Sequence, residues 1–209
     1  MTISLLVEGD LEYKMVGSVL LRAIPQLQRQ RLEVLNGKGW PKFLKRLPGV
    51  VRDTVEADSR AVVFSLCDLY QPDFDFPRGC DSRDERADSL KTHLKELVEQ
   101  RFRPQFHPHL AVHEIEAWLF ADRDLLRRYR INPPAGDPEA LDFGEQSHPQ
   151  ARLRELWRVA SKRGYRKVTD GVRLFEQVSI PALLDGCAYF RRMVADLESA
   201  LALEGSASE

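Results

Sequence analysis

Three short apolar runs, residues 3–7 (ISLLV), 32–35 (LEVL) and 61–67 (AVVFSLC), are separated by stretches whose apolar residues return every three to four positions. A near-continuous apolar run of this length is what a strand covered on both faces requires. After the first run, Met15, Val16, Val19, Leu20 and Ala23 recur at helical spacing. The second run alternates and stops at Asn36-Gly37, as a strand with one less covered face does. A helix is expected from about 41 to 57, interrupted near Pro48-Gly49. A loop rich in Pro, Asp and Phe then leads to a helix over about 82–101, with Ala87, Leu90, Leu94, Leu97 and Val98 on its buried side. Residues 109–112 read as a fourth strand, followed by a helix over HEIEAWLFAD. Alternating strands and helices predict an α/β fold with a mostly parallel, Rossmann-like sheet of about four strands flanked by helices.

Beyond residue 130 the texture changes. INPPAGDPEALDFGEQSHP is a loop punctuated by Pro and Gly, with room for one helical turn. Residues 150–203 read as three or four helices, broken at Gly171 and Pro181. The expected division is an α/β domain over 1–130 and a helical C-terminal extension over 131–209, packed on the same domain. A chain of 209 residues, 43% of them hydrophobic, can bury one such core.

No apolar run approaches the ~20 residues a membrane helix needs. The opening MTISLLVEGDLE lacks the basic stretch and cleavage site of a signal peptide. Cys67, Cys80 and Cys187 have neither the number nor the spacing of a disulfide framework or zinc ribbon. A cytoplasmic location is expected. With 31 basic and 32 acidic residues, bulk charge gives no argument for nucleic acid. A local patch remains open, since Arg and Lys are dense between 152 and 173.

The chemistry lies in acids placed after strands. Glu8 follows the first, Asp68 the third and Glu114 the fourth. In a parallel sheet all three fall on the carboxyl edge, where open α/β sheets bind ligands. Carboxylates gathered there repel one another, and a hard divalent cation, Mg²⁺ or Mn²⁺, relieves the conflict with the oxygen ligands it prefers. Taken singly, each acid can instead be a helix cap. Glu116, in a segment with no polar face, is a second metal candidate, with His113 as a hydrogen-bonding neighbour. Glu12 stands one helical turn beyond Glu8 and is a candidate catalytic group beside it. Asn36-Gly37-Lys38-Gly39 is an ordinary turn or a phosphate cradle. Nucleophile elbows, P-loops and dinucleotide fingerprints are absent.

VEGDLE resembles the glutamate-glycine motif that opens a Toprim domain, and CDLY resembles its Asp-x-Asp motif. More specifically, DLYQPDFDFP, RFRPQFHPHLAVHEIEAWLFAD and YRKVTDGVRLFEQVSIPALLDGCAYFRRMVADLE are similar to successive blocks of a bacterial family, domain of unknown function 4276. The resemblance spans residues 7 to about 203. It implies a Toprim-like fold related to nucleases of the overcoming-lysogenization-defect (OLD) type, and a setting beside ATPases in phage defence or mobile-element control. Glu8 then matches the Toprim general acid/base and Asp68 the first metal-binding aspartate. Tyr70 stands where the second aspartate belongs, so either Asp73, Asp75, Glu114 or Glu116 supplies the missing oxygen, or metal binding is weak and catalysis absent.

Two functions follow. One is a Mg²⁺- or Mn²⁺-dependent nuclease. Glu8 and Glu12 are its catalytic candidates and Asp68, Glu114 and Glu116 its metal ligands. Lys38, Lys42, Arg163, Arg166 and Lys167 would touch flanking phosphates of DNA or RNA. The other is a non-catalytic subunit docked on an ATPase, its carboxylates capping helices or holding a structural ion. Either leaves a homodimer open. A phosphoacceptor domain also has acids after its first and third strands, but the helical C-terminal third does not suit it.

Overall fold

The computed structural model describes residues 1–71, 73–134, 136 and 149–206. The strands are β1 (Thr2–Val7), β2 (Arg31–Asn36), β3 (Val62–Asp68) and β4 (Phe106–Ala111). The α-helices are α1 (Asp10–Ala23), α2 (Trp40–Ala57), α3 (Arg83–Glu96), α4 (Arg123–Arg128), α5 (Pro149–Ser161), α6 (Lys167–Gln177), α7 (Ile180–Gly186) and α8 (Ala188–Ser206). Short 3-10 segments cover Pro25–Arg29, Gln100–Gln105 and Ile115–Ala121. The helical turn expected between 131 and 149 falls outside the described residues.

The sheet has the order β2-β1-β3-β4 and every pair is parallel, as the strand–helix alternation predicts. Side chains alternate across it. Ile3, Leu5, Val7, Phe64 and Leu66 join a core with α1, α6 and α8. Leu6, Val63, Cys67 and Leu110 join another with α2 and α3 on the opposite face. The first core also takes Leu153, Trp157, Leu174, Phe175 and Phe190, so the C-terminal helices complete one face of the sheet. No helix among the described residues is long and apolar enough to cross a membrane.

Local departures from expectation have physical causes. Pro48 does not interrupt α2. Burying Phe43, Leu47, Val51 and Val55 at roughly 1.5–3 kcal/mol each outweighs the roughly 3 kcal/mol that a proline costs inside a helix. Strand β4 starts at Phe106 and runs through Pro108, which is tolerated because β4 is an edge strand. HEIEAWLFAD forms a 3-10 segment and not an α-helix. Ile115 to Phe120 are all buried, so surrounding packing and not an amphipathic period sets its winding. Gly171 lies inside α6 and breaks nothing. A Cβ there would stand 2.8 Å from the Tyr165 hydroxyl and 3.0 Å from Leu11 Cδ1, so glycine permits α6 to approach α1 closely.

Candidate functional site

The parallel register puts the ends of all four strands on one rim: Val7 pairs with Asn36 and with Leu66, and Asp68 with Ala111. Glu8 leaves β1 at that rim. Its Oε2 accepts the backbone N–H of Asp68 at 3.2 Å and the Gln71 side-chain amide at 2.5 Å. Gln71 also donates to the Asp68 carbonyl at 2.8 Å, tying the two acids to one frame. Sequence gave no signal for Gln71, a polar residue in a loop. Gly9 allows the tight exit: a Cβ there would meet Glu12 Oε2 at 2.7 Å.

Glu12 is 5% exposed, on the inner side of α1. Glu114 precedes the 3-10 segment without a side-chain cap hydrogen bond to it, and its Oε2 accepts the Gln150 N–H of α5 at 2.8 Å. Glu116 is wholly buried, and among the described residues neither carboxylate oxygen has a hydrogen-bond partner. Glu114, with extended backbone just before the segment, turns to α5, while Glu116 in its first turn faces inward to Lys167, whose Nζ lies 3.4 Å from its Oε2. Lys167 is the first residue of α6.

Burial pushes the Glu8 carboxyl above its ordinary range, and the hydrogen bonds from Asp68 and Gln71 offset this only in part. Glu12 is raised by burial as well, with Lys167 opposing. Asp68 is pushed well up by burial and by the neighbouring charges of Glu12 and Glu8. Burial raises Glu116 to about 7 against the pull of Lys167. For Lys167 itself, burial works to strip the proton, but Glu116, Glu12, Asp68 and Glu114 together prevail and hold it above its ordinary value. These are electrostatic neighbours: acids from three strand ends surround one ammonium.

The five acids singled out by sequence thus stand together on one rim, while the basic candidates scatter. Lys38 takes positive φ (65°) and its Nζ lies 3.5 Å from Asp10. The turn around it is no phosphate cradle. Gly37 N–H bonds Val7 O, Lys38 N–H bonds Asn36 Oδ1 and Gly39 N–H bonds Glu8 O, so all three amides are committed. Lys42 is exposed in the first turn of α2. Arg163 forms a two-pronged ion pair with buried Asp170, at 2.9 Å on each oxygen. Arg166 stands 3.7 Å from the same carboxylate. Lys167, read from sequence as a surface contact for phosphate, points into the acids instead. Asp73 and Asp75 are exposed on the loop after β3. Tyr70 stacks on His113, ring centroids 5.1 Å apart, and His113 holds a positive φ of 62°.

The donor set fits a hard divalent cation in its chemistry: carboxylate oxygens, more acids than cations, and a buried glutamate lacking hydrogen bonds among the described residues. The arrangement is not a closed cage. Among the described residues no three acidic, histidine or cysteine side chains are grouped so as to hold a metal ion.

The fold and this rim define a parallel α/β protein with an acidic carboxyl edge closed by C-terminal helices. The chain belongs to the family described as Domain of unknown function (DUF4276), which matches residues 7–198. No curated protein matches it. Among solved structures it is similar to the C-terminal region of the Xanthomonas campestris pv. campestris OLD protein, at 17% identity and a TM-score of 0.51, covering 98% of this chain and 97% of that one. The C-terminal region of the Burkholderia pseudomallei OLD protein has 18% identity and a TM-score of 0.43, with 95% and 97% covered. At such identities the first likeness speaks for the fold alone.

Proposed function

We propose that this protein is a metal-dependent phosphodiesterase acting on nucleic acid, in partnership with an ATPase, as the resemblance of its VEGDLE and CDLY motifs to those of Toprim nucleases implies. The observation that carries the reading is Glu116, among acids from three strand ends. It is a wholly buried carboxylate with no hydrogen bond among the described residues and only the half-buried Lys167 ammonium at 3.4 Å beside it. Such a group is costly unless cations complete it, and one ammonium is fewer than these acids call for. Asp68 and Glu116, with Glu8 or Glu114, would hold Mg²⁺ or Mn²⁺. When bound, the ion supplies a water of lowered pKa and a positive centre for phosphate oxygens. Glu8, already raised by burial, suits the transfer of a proton to or from the reacting water. Burial is the main cause of that rise, and the Glu12 charge adds to it. Lys42 at the same rim suits a flanking phosphate.

The test is incubation of the purified chain with DNA and RNA, single- and double-stranded, in Mn²⁺ or Mg²⁺, with and without an ATPase partner. Cleavage that needs the metal and falls at least about 100-fold in Asp68→Asn is expected. No metal-dependent cleavage under any condition sinks the reading.

A second reading is a non-catalytic docking subunit of an ATPase complex. Two observations favour it: no ready-made ligand trio among the described residues, and Tyr70, stacked on His113, at the second aspartate position. Calorimetry separates the two. Absence of Mn²⁺ binding, the same in Asp68→Ala, favours the docking subunit.

A further inference from the structure

The turn between α5 and α6, residues 162–166, is held more firmly than an exposed connection needs. Lys162 enters it with φ of 58°. Arg163 lies over the Trp157 ring at 5.1 Å and grips Asp170 with both guanidinium nitrogens at 2.9 Å. Asp170 is 2% exposed and also accepts the Arg166 backbone N–H at 2.8 Å. The Arg163 guanidinium keeps its carboxyl below the usual range, so it is ionised. Between these anchors Tyr165 is buried edge-on to Trp157, its hydroxyl over Gly171. The residue delivered by the turn is Lys167.

We infer that Asp170 is a positioning residue. Through Arg163 and the Arg166 amide it fixes this turn, so that the Lys167 ammonium stands among Glu12, Asp68, Glu114 and Glu116 as the resident cation of the acidic rim, in the place a divalent metal takes over. A half-buried ammonium 3.4 Å from Glu116 Oε2 offsets the rim's negative charge when no metal is bound. A divalent cation entering there meets a positive charge that must give way, so lysine and metal compete. This rests on the reading of the rim as a metal site and predicts a sign opposite to that of a ligand: removing Lys167 strengthens metal binding.

The test uses the full chain and Mn²⁺ calorimetry on wild type, Lys167→Met, Asp170→Asn and the double variant. Lys167→Met is expected to bind Mn²⁺ at least about tenfold more tightly, since a unit charge within a few ångströms is removed. Asp170→Asn is expected to move affinity the same way by a smaller factor, and to add nothing in the Lys167→Met background. That non-additivity marks positioning, which a merely structural aspartate would not produce. Arg163→Met, at a partly exposed position, replaces Asp170→Asn if the latter does not fold. Unchanged or weaker Mn²⁺ binding in Lys167→Met overturns the competition. An Asp170→Asn effect of equal size in both backgrounds overturns the positioning role.

If no variant responds to metal, the metal reading falls, and the clamp is judged separately on the metal-free chain. There the NMR signal of reductively methylated Lys167 should shift toward those of exposed lysines in Asp170→Asn. An unmoved signal overturns the clamp.

Discussion

The carboxylate of Glu8 is tied to Asp68 through the backbone, accepting the Asp68 N–H at 3.2 Å across the ends of β1 and β3. Gln71 doubles the tie, donating to Glu8 at 2.5 Å and to the Asp68 carbonyl at 2.8 Å. A hydrogen bond to a charged, half-buried acceptor contributes about 1.5–3 kcal/mol. Gln71→Ala should therefore lower unfolding stability near pH 7 by about 2 kcal/mol, read as a shifted urea midpoint at constant slope. An unmoved midpoint would mean that Glu8 is not held this way.

Stability of the metal-free chain should fall as pH rises through the weakly acidic range. Burial raises Glu116 to about 7 in the folded chain, while the unfolded glutamate titrates near its ordinary 4.5. Between those values the native state holds a proton that the unfolded state has lost, so each step up in pH favours unfolding; above about 7 the effect is complete. Glu8, Glu12 and Asp68 are raised too and act in the same sense. A fall in Tm on the order of 5 °C from pH 4.5 to pH 7.5 is expected, and Glu116→Gln should flatten it. Burial lowers His107 and His109, which work in the opposite sense below about 6.5. The Glu116 share is therefore the difference between wild type and Glu116→Gln, and identical pH profiles would refute the assignment.

Divalent metal should reverse that trend if the rim binds it. Mn²⁺ at about 100 times its Kd stabilises by about 2.7 kcal/mol. The gain should be larger at pH 8, where the acids are ionised, than at pH 5, where Glu116 still carries its proton. Asp68→Asn should abolish the gain and yet raise the metal-free Tm, because it removes a carboxylate whose charge is disfavoured by desolvation and by Glu12 and Glu8. Thermal scans of both proteins with and without Mn²⁺ check this, and equal gains at the two pH values would count against a carboxylate site.

The acidic rim was legible because a short apolar run ending in an acid carries its own address. If the strand is parallel and covered, the next residue stands on the carboxyl edge, which is where Glu8 and Asp68 lie. Glu116 was legible only in part. Its buried surroundings showed in IEAWLFA, but the 3-10 winding that begins after Glu114 comes from tertiary packing. Lys167 and Asp170 were not legible in their roles. In RGYRKVTDG a basic run looks like a solvated face, and only the docking of α6 on α1 turns Lys167 inward and buries Asp170. Pro48 and Pro108 misplaced element boundaries for a related reason: a local backbone cost was overridden by a buried stripe in α2 and by the edge position of β4.

That docking hinges on Gly171 facing Tyr165, which gives a test independent of any function. An added methyl at 171 would lie 2.8 Å from the Tyr165 hydroxyl and 3.0 and 3.2 Å from the two Leu11 δ-carbons, inside normal contact. The hydroxyl is buried without a hydrogen-bond partner among the described residues, so it contributes bulk and a desolvation cost. Overpacking of this kind costs about 1–3 kcal/mol, and Gly171→Ala should lose that much in chemical denaturation. Tyr165→Phe alone should be neutral or slightly stabilising. Combined with Gly171→Ala it should recover part of the loss by removing the nearest clashing atom, while the Leu11 contact keeps recovery incomplete. Additive effects would mean that residues 165 and 171 do not touch, and α6 would then not sit against α1 in the way that carries Lys167 to the acids.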